Sequence, residues 1–103
     1  MVNLTKNIAI NYGIYGIRAN IVCPGTISTP LLEEAFNKNI NIDLRKQFNE
    51  AYPMGSIGIP QEVASAVIFL ASDAAPFINA AVPVVDGGPY LPYRTTEVLM
   101  TPA

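Results

Sequence analysis

Gly16-Ile17-Arg18-Ala19-Asn20-Ile21-Val22-Cys23-Pro24-Gly25-Thr26-Ile27-Ser28-Thr29-Pro30 changes character twice along its length. Ile17 to Cys23 is short, rich in β-branched residues and bounded by Gly16 and by Pro24-Gly25, which reads as a buried strand. Pro24-Gly25-Thr26 then turns the chain. Thr29 suits a helix N-cap, Pro30 the first helical position, and Glu33 and Glu34 the positive end of the dipole, so a short helix is predicted through about Phe36.

Working outward, Leu4, Ile8 and Tyr12 recur at helical spacing with Val2 and Ala9 beside them. This gives a helix from Met1 to Tyr12 that Gly13 is expected to stop, with no capping residue before it. Downstream, Asn37 to Ile42 is Asn-rich and expected as loop, and Leu44, Phe48 and Tyr52 predict a helix starting near Asp43. Pro60 opens a further helix with Val63, Val67, Leu70 and Ala71 in one stripe, widened by Ala64 and Ile68 and ending near Ser72-Asp73. Ala81 to Val85 reads as a second apolar strand, closed by the turn Asp86-Gly87-Gly88. The tail 89–103 holds three prolines and no period, and is given no structure. This order predicts an α/β fold with parallel strands, and two strands alone leave open edges and an incomplete sheet.

Composition narrows the functions. The 103 residues fit one small domain, and 50% apolar with 14% charged residues argues for a globular chain. A net charge of −2 with scattered Lys and Arg gives no basic field for nucleic acid or an anionic membrane. No apolar run is long enough to span a bilayer, and no leader pattern follows Met1, so a cytoplasmic setting is expected. The lone Cys23 reads as a buried structural thiol. With no His, Cys–His catalysis and most zinc sites are excluded, and no metal site is expected.

The quoted stretch resembles the short-chain dehydrogenase/reductase family, whose sixth strand and following turn read similarly. The likeness extends to Asn3-Leu4-Thr5-Lys6, to Pro53-Met54-Gly55-Ser56-Ile57-Gly58 with Pro60-Gln61-Glu62-Val63-Ala64, to Phe69-Leu70-Ala71-Ser72-Asp73, and to Val85-Asp86-Gly87-Gly88. It covers residues 1–88 in the family's order and spacing. It implies the C-terminal portion of a doubly wound, Rossmann-like fold, and an NAD- or NADP-dependent oxidoreductase acting on an alcohol or carbonyl in the full-length parent. It also implies that the backbone of Ile27 and the hydroxyl of Thr29 hold the nicotinamide carboxamide, while Pro24 and Gly25 shape the turn and approach the ring. Taken alone, the same residues are a turn and a helix cap. Residues 31–52 match the family's substrate cover, with Leu31, Leu32 and Phe36 as candidates for an apolar pocket wall or as plain core.

The departures bear on activity. By register the family's catalytic Tyr-x-x-x-Lys would fall just before Met1, and no Gly-x-Gly-x-x-Gly phosphate loop occurs in the chain. Tyr12, Tyr15, Tyr52, Tyr90 and Tyr93 each lack a Lys four residues on, so no catalytic residue is assigned. Where the family has Thr-Gly, this chain has Asn79-Ala80, a strained turn if positive φ is required there. Three readings stay open: a fragment of an oxidoreductase that is inactive alone, a non-catalytic module that pairs with itself or a full-length relative, and a chain that does not fold stably.

Overall fold

A computed structural model describes residues 1–39 and 42–88 of the chain. The tail 89–103 and part of the expected 37–42 loop lie outside the described residues. In order the elements are α1 (Val2–Tyr12), β1 (Cys23–Pro24), α2 (Pro30–Lys38), α3 (Leu44–Glu50), α4 (Pro60–Ala71) and β2 (Val84–Val85), with a 3-10 turn at Gly13–Tyr15. The strands pair in parallel, Cys23 opposite Val84 and Pro24 opposite Val85. A parallel pair needs a crossover, and α2 to α4 supply it.

Both strands are shorter than the apolar runs that announced them. The amides of Ile21, Cys23 and Gly25 donate to the carbonyls of Ala81, Pro83 and Val85, each at 3.0 Å. Upstream of Ile21, asparagine side chains replace the regular ladder. Asn79 Oδ1 accepts from the Ala19 amide at 3.0 Å, and Asn20 Oδ1 accepts from Ala81 at 2.9 Å. The run 17–20 is therefore stitched to 78–81 without strand geometry. Cys23 is half-buried rather than buried, because a two-stranded sheet cannot enclose it.

The helix boundaries follow local chemistry. Thr29 Oγ1 accepts from the Leu32 amide at 3.3 Å, and Asp43 Oδ1 accepts from Lys46 at 3.0 Å. At α4, Glu62 reaches back to the Ile59 amide at 2.9 Å. Gly13 stops α1 as expected, capping it in a right-handed conformation; a 3-10 turn over Gly13–Tyr15 follows and ends at Gly16 with φ 77°. The left-handed position that favours glycine closes the 3-10 turn, at Gly16, rather than α1 itself.

Among the described residues the buried apolar set is Ala9, Phe36, Ile57 and Ala75, and no large side chain is fully enclosed. Leu4, Ile10 and Ile14 around α1, Ile68 and Phe69 on α4, and Val84 on β2 lie exposed. Parallel sheets are stable when both faces are covered. Among the described residues this α/β arrangement has a sheet of two parallel strands, which is incomplete, as the element order predicted. No helix is long and apolar enough to cross a membrane among the described residues.

Candidate functional site

The site grows from the carboxyl ends of the two strands, where open α/β sheets receive ligands. After Pro24 the chain passes so close to β2 that a Cβ on Gly25 would lie 2.6 Å from Asp86 Cβ and 2.9 Å from its Cα. Gly25 is thus required by packing, whatever else it approaches. Asp86 is itself folded into a turn, its Oδ1 accepting from the Gly88 amide at 2.8 Å.

The next residues are fixed by a short parallel bridge between Ile27 and Gly58. The Gly58 amide donates to Thr26 O at 2.9 Å, and the Ser28 amide donates to Gly58 O at 2.8 Å. Trans peptide planarity then dictates the rest. The Ile27 N–H shares a plane with Thr26 C=O and points the opposite way, and the Ile27 C=O likewise opposes the Ser28 N–H. Both polar groups of Ile27 are aimed away from Gly58, side by side, and neither finds a protein partner among the described residues. One donor and one acceptor held this way match an amide face.

Thr29 lies two residues along and is exposed. Its cap to Leu32 uses an oxygen lone pair and leaves the hydroxyl proton free to donate. Before it, Ser28 Oγ donates to Glu33 Oε1 at 2.7 Å, and Glu33 forms an ion pair with Arg45. Arg45 in turn covers the Phe36 ring, 5.0 Å from its centroid, and Phe48 meets that ring edge-on at 5.4 Å. Of the three apolar wall candidates, Leu31 is 78% exposed, Leu32 is half-buried, and Phe36 is 7% exposed inside the contact between α2 and α3.

Sequence reasoning missed two side chains that brace the turn. The Thr26 amide donates to Tyr52 Oη at 3.0 Å, and the Tyr52 hydroxyl donates to Thr26 Oγ1. Asn49 Oδ1 accepts from the Ile57 amide at 3.0 Å. Tyr52 stands out in the sequence only as part of an apolar period. A cleft of about 860 Å³ opens beside the turn, lined among others by Thr26, Ile27, Met54, Glu62, Asp86 and Gly88. Its lining carries two carboxylates and no Lys or Arg, so it disfavours anionic groups. Among the described residues no group of acidic or Cys side chains assembles that could hold a metal ion.

These features belong to the strand ends of an α/β fold with parallel strands. A family model described as enoyl-(acyl carrier protein) reductase matches residues 1–89, and the chain belongs to the short-chain dehydrogenase/reductase family. It is 45% identical over 86 residues to an uncharacterized oxidoreductase of Schizosaccharomyces pombe, covering 84% of this chain and 33% of that protein. It is 40% identical over 89 residues to 2-(S)-hydroxypropyl-CoM dehydrogenase 3 of Xanthobacter autotrophicus, covering 85% of this chain and 35% of the relative. The chain thus spans about a third of the length of the curated relatives it matches. Among solved structures, an oxidoreductase of the same family from Burkholderia thailandensis superposes with TM-score 0.76 at 42% identity, over 85% of this chain and 34% of that one. A 4-hydroxyisoleucine dehydrogenase complexed with NADH matches at TM-score 0.74 and 36% identity, over 86% of this chain and 35% of that one. ElxO with NADP bound matches at TM-score 0.76 and 31% identity, over 85% and 35%.

Proposed function

We propose that this chain is the nicotinamide-orienting portion of an NAD(P)-dependent alcohol or carbonyl oxidoreductase, and that by itself it transfers no hydride. The observation that carries this reading is the Ile27 peptide pair, a donor and an acceptor aimed the same way beside the free Thr29 hydroxyl proton. The Ile27 N–H would donate to the carboxamide oxygen, and the Ile27 C=O would accept from the carboxamide nitrogen. Thr29 would add a second donor, while Pro24 and Gly25 set the approach of the turn to the ring. When bound, the cofactor supplies the hydride. Leu31 and Leu32 would face the substrate over this turn, with Phe36 holding α2 against α3 beneath them.

Reduction of a carbonyl also needs an acid beside the developing alkoxide. None of the five tyrosines is followed four residues on by the lysine that would tune it, so the chain has no such acid of its own. Incubating the purified chain with NADH or NADPH and a panel of ketones and aldehydes should show no oxidation above the uncatalysed rate. Saturable turnover would reject the reading. Weaker NADH binding by Thr29→Ala than by the unaltered chain, read by nicotinamide fluorescence, would support the cofactor-facing role.

The exposed apolar side chains around α1, with Leu4, Ile10 and Ile14 uncovered, favour a second reading as a pairing module. A second copy or a longer relative would cover that face. Coexpression with such a relative should yield a shared complex, and its absence together with a monomeric elution volume would remove this reading.

A further inference from the structure

We infer that Tyr52 is a positioning residue that locks the Ile27 turn from the substrate-cover side. Three observations meet at this one side chain. Its hydroxyl accepts from the Thr26 amide at 3.0 Å and donates to Thr26 Oγ1, so the amide and the hydroxyl of Thr26 are both engaged by a single group, while the Thr26 carbonyl is held by Gly58. Its ring lies under the strand-end turn, with Cδ1 3.6 Å from where a Cβ on Gly87 would stand. Its own amide donates to Asn49 O at 3.2 Å, which seats it at the end of α3.

The consequence follows from adjacent peptide planes. The Gly58 bridge fixes the plane that carries Thr26 C=O and Ile27 N–H, and Tyr52 fixes the preceding plane through the Thr26 N–H. With both planes pinned, the dihedrals of Thr26 are set, and so is the direction in which Ile27 presents its donor. Because Tyr52 follows α3 and Asn49 within α3 holds the Ile57 amide, the segment resembling the substrate cover is tied to both strands of the bridge. A ligand that shifts α3 would re-aim Ile27. Tyr52 itself touches no reacting atom in this account.

For its functional meaning this inference rests on the turn being the nicotinamide site, but its test does not need cofactor. Amide hydrogen exchange of the full chain is followed residue by residue in the unaltered protein, Tyr52→Phe and Thr26→Ser. The phenylalanine keeps the ring against Gly87 and removes only the hydroxyl, whereas the serine keeps both hydrogen bonds. The expected result is exchange of the Thr26 amide accelerated about two- to tenfold in Tyr52→Phe, with its proton resonance moved upfield. Residues in α1 should be unchanged, and Thr26→Ser should behave as the unaltered chain. Equal protection of Thr26 in Tyr52→Phe overturns the inference, and so does a uniform acceleration at all amides, which marks a general packing role. A parallel NADH titration separates the two ideas. Failure of the unaltered chain to bind, with the Thr26 effect present, rejects the cofactor reading and leaves the lock standing.

Discussion

Replacing Ala80 with glycine should stabilise this chain, although alanine to glycine usually does the reverse. Ala80 sits at φ 58° and is the only non-glycine residue with positive φ among the described residues. It is held there by its surroundings: its amide donates to Ala19 O at 2.8 Å, and Asn79 and Asn20 clamp the residues on either side. Asn79 Nδ2 also donates to Ala9 O at 3.2 Å, anchoring the turn to α1. The left-handed conformation costs an alanine about 1–2 kcal/mol through the clash of its Cβ with the backbone. Glycine removes that cost but gives the unfolded chain more freedom, worth about 0.4–1 kcal/mol against folding. The net gain lies between about 0 and 1.6 kcal/mol, and its midpoint of about 0.8 kcal/mol raises Tm by about 3–6 °C for a domain of this size. Thermal unfolding followed by circular dichroism measures it directly, with Ala80→Val as the opposite arm, since a β-branched residue fits this region worse. A lower Tm for Ala80→Gly, or an equal Tm for Ala80→Val, would refute the strain argument.

Other perturbations test separate parts of the structure. Gly25→Ala should destabilise by about 1–3 kcal/mol in chemical denaturation, because the Asp86 backbone has to retreat, whereas an equal midpoint would mean the two strand ends are loosely apposed. Thr29→Ala should cost about 1 kcal/mol through the lost cap of α2, with Thr29→Ser close to neutral in the same assay. Phe36→Ala should cost about 3 kcal/mol by emptying the α2–α3 contact, and a loss below about 1 kcal/mol would place Phe36 on a wet surface instead. Phe77, 101% exposed, should tolerate serine within about 0.5 kcal/mol.

Features encoded by neighbours in sequence were legible in advance. Thr29-Pro30, Asp43 and Pro60 each marked a helix start, because a cap or an N1 proline acts on amides within one turn. At Ala80 the family resemblance raised strain only as a condition, and the observed φ of 58° meets it. The extent of the strands was not. Pairing depends on a partner some 60 residues away, and asparagine side chains at 20 and 79 took over backbone bonds that the apolar pattern had assigned to a ladder. The stop of α1 at Gly13 was legible, whereas the 3-10 turn that follows it to Gly16 has no counterpart in the apolar periodicity. Within the site, Ile27 and Thr29 came from family resemblance, while the direction of the Ile27 groups required the bridge to Gly58. Tyr52 gave no usable signal: its contact with Thr26 spans 26 residues, and its spacing from Phe48 pointed to an apolar role.

The central claim is that Ile27 and Thr29 present an amide-matching face to nicotinamide. It is tested most directly by titrating the isotope-labelled chain with NADH and following each backbone amide by NMR, with saturation transfer to the ligand protons. The account predicts that the Ile27 amide shifts downfield along a saturable curve, that Ser28 and Thr29 move less, and that the nicotinamide ring protons receive more saturation than the adenine protons. An Ile27 amide that stays in place while NADH binds, or saturation confined to the adenine, would contradict it.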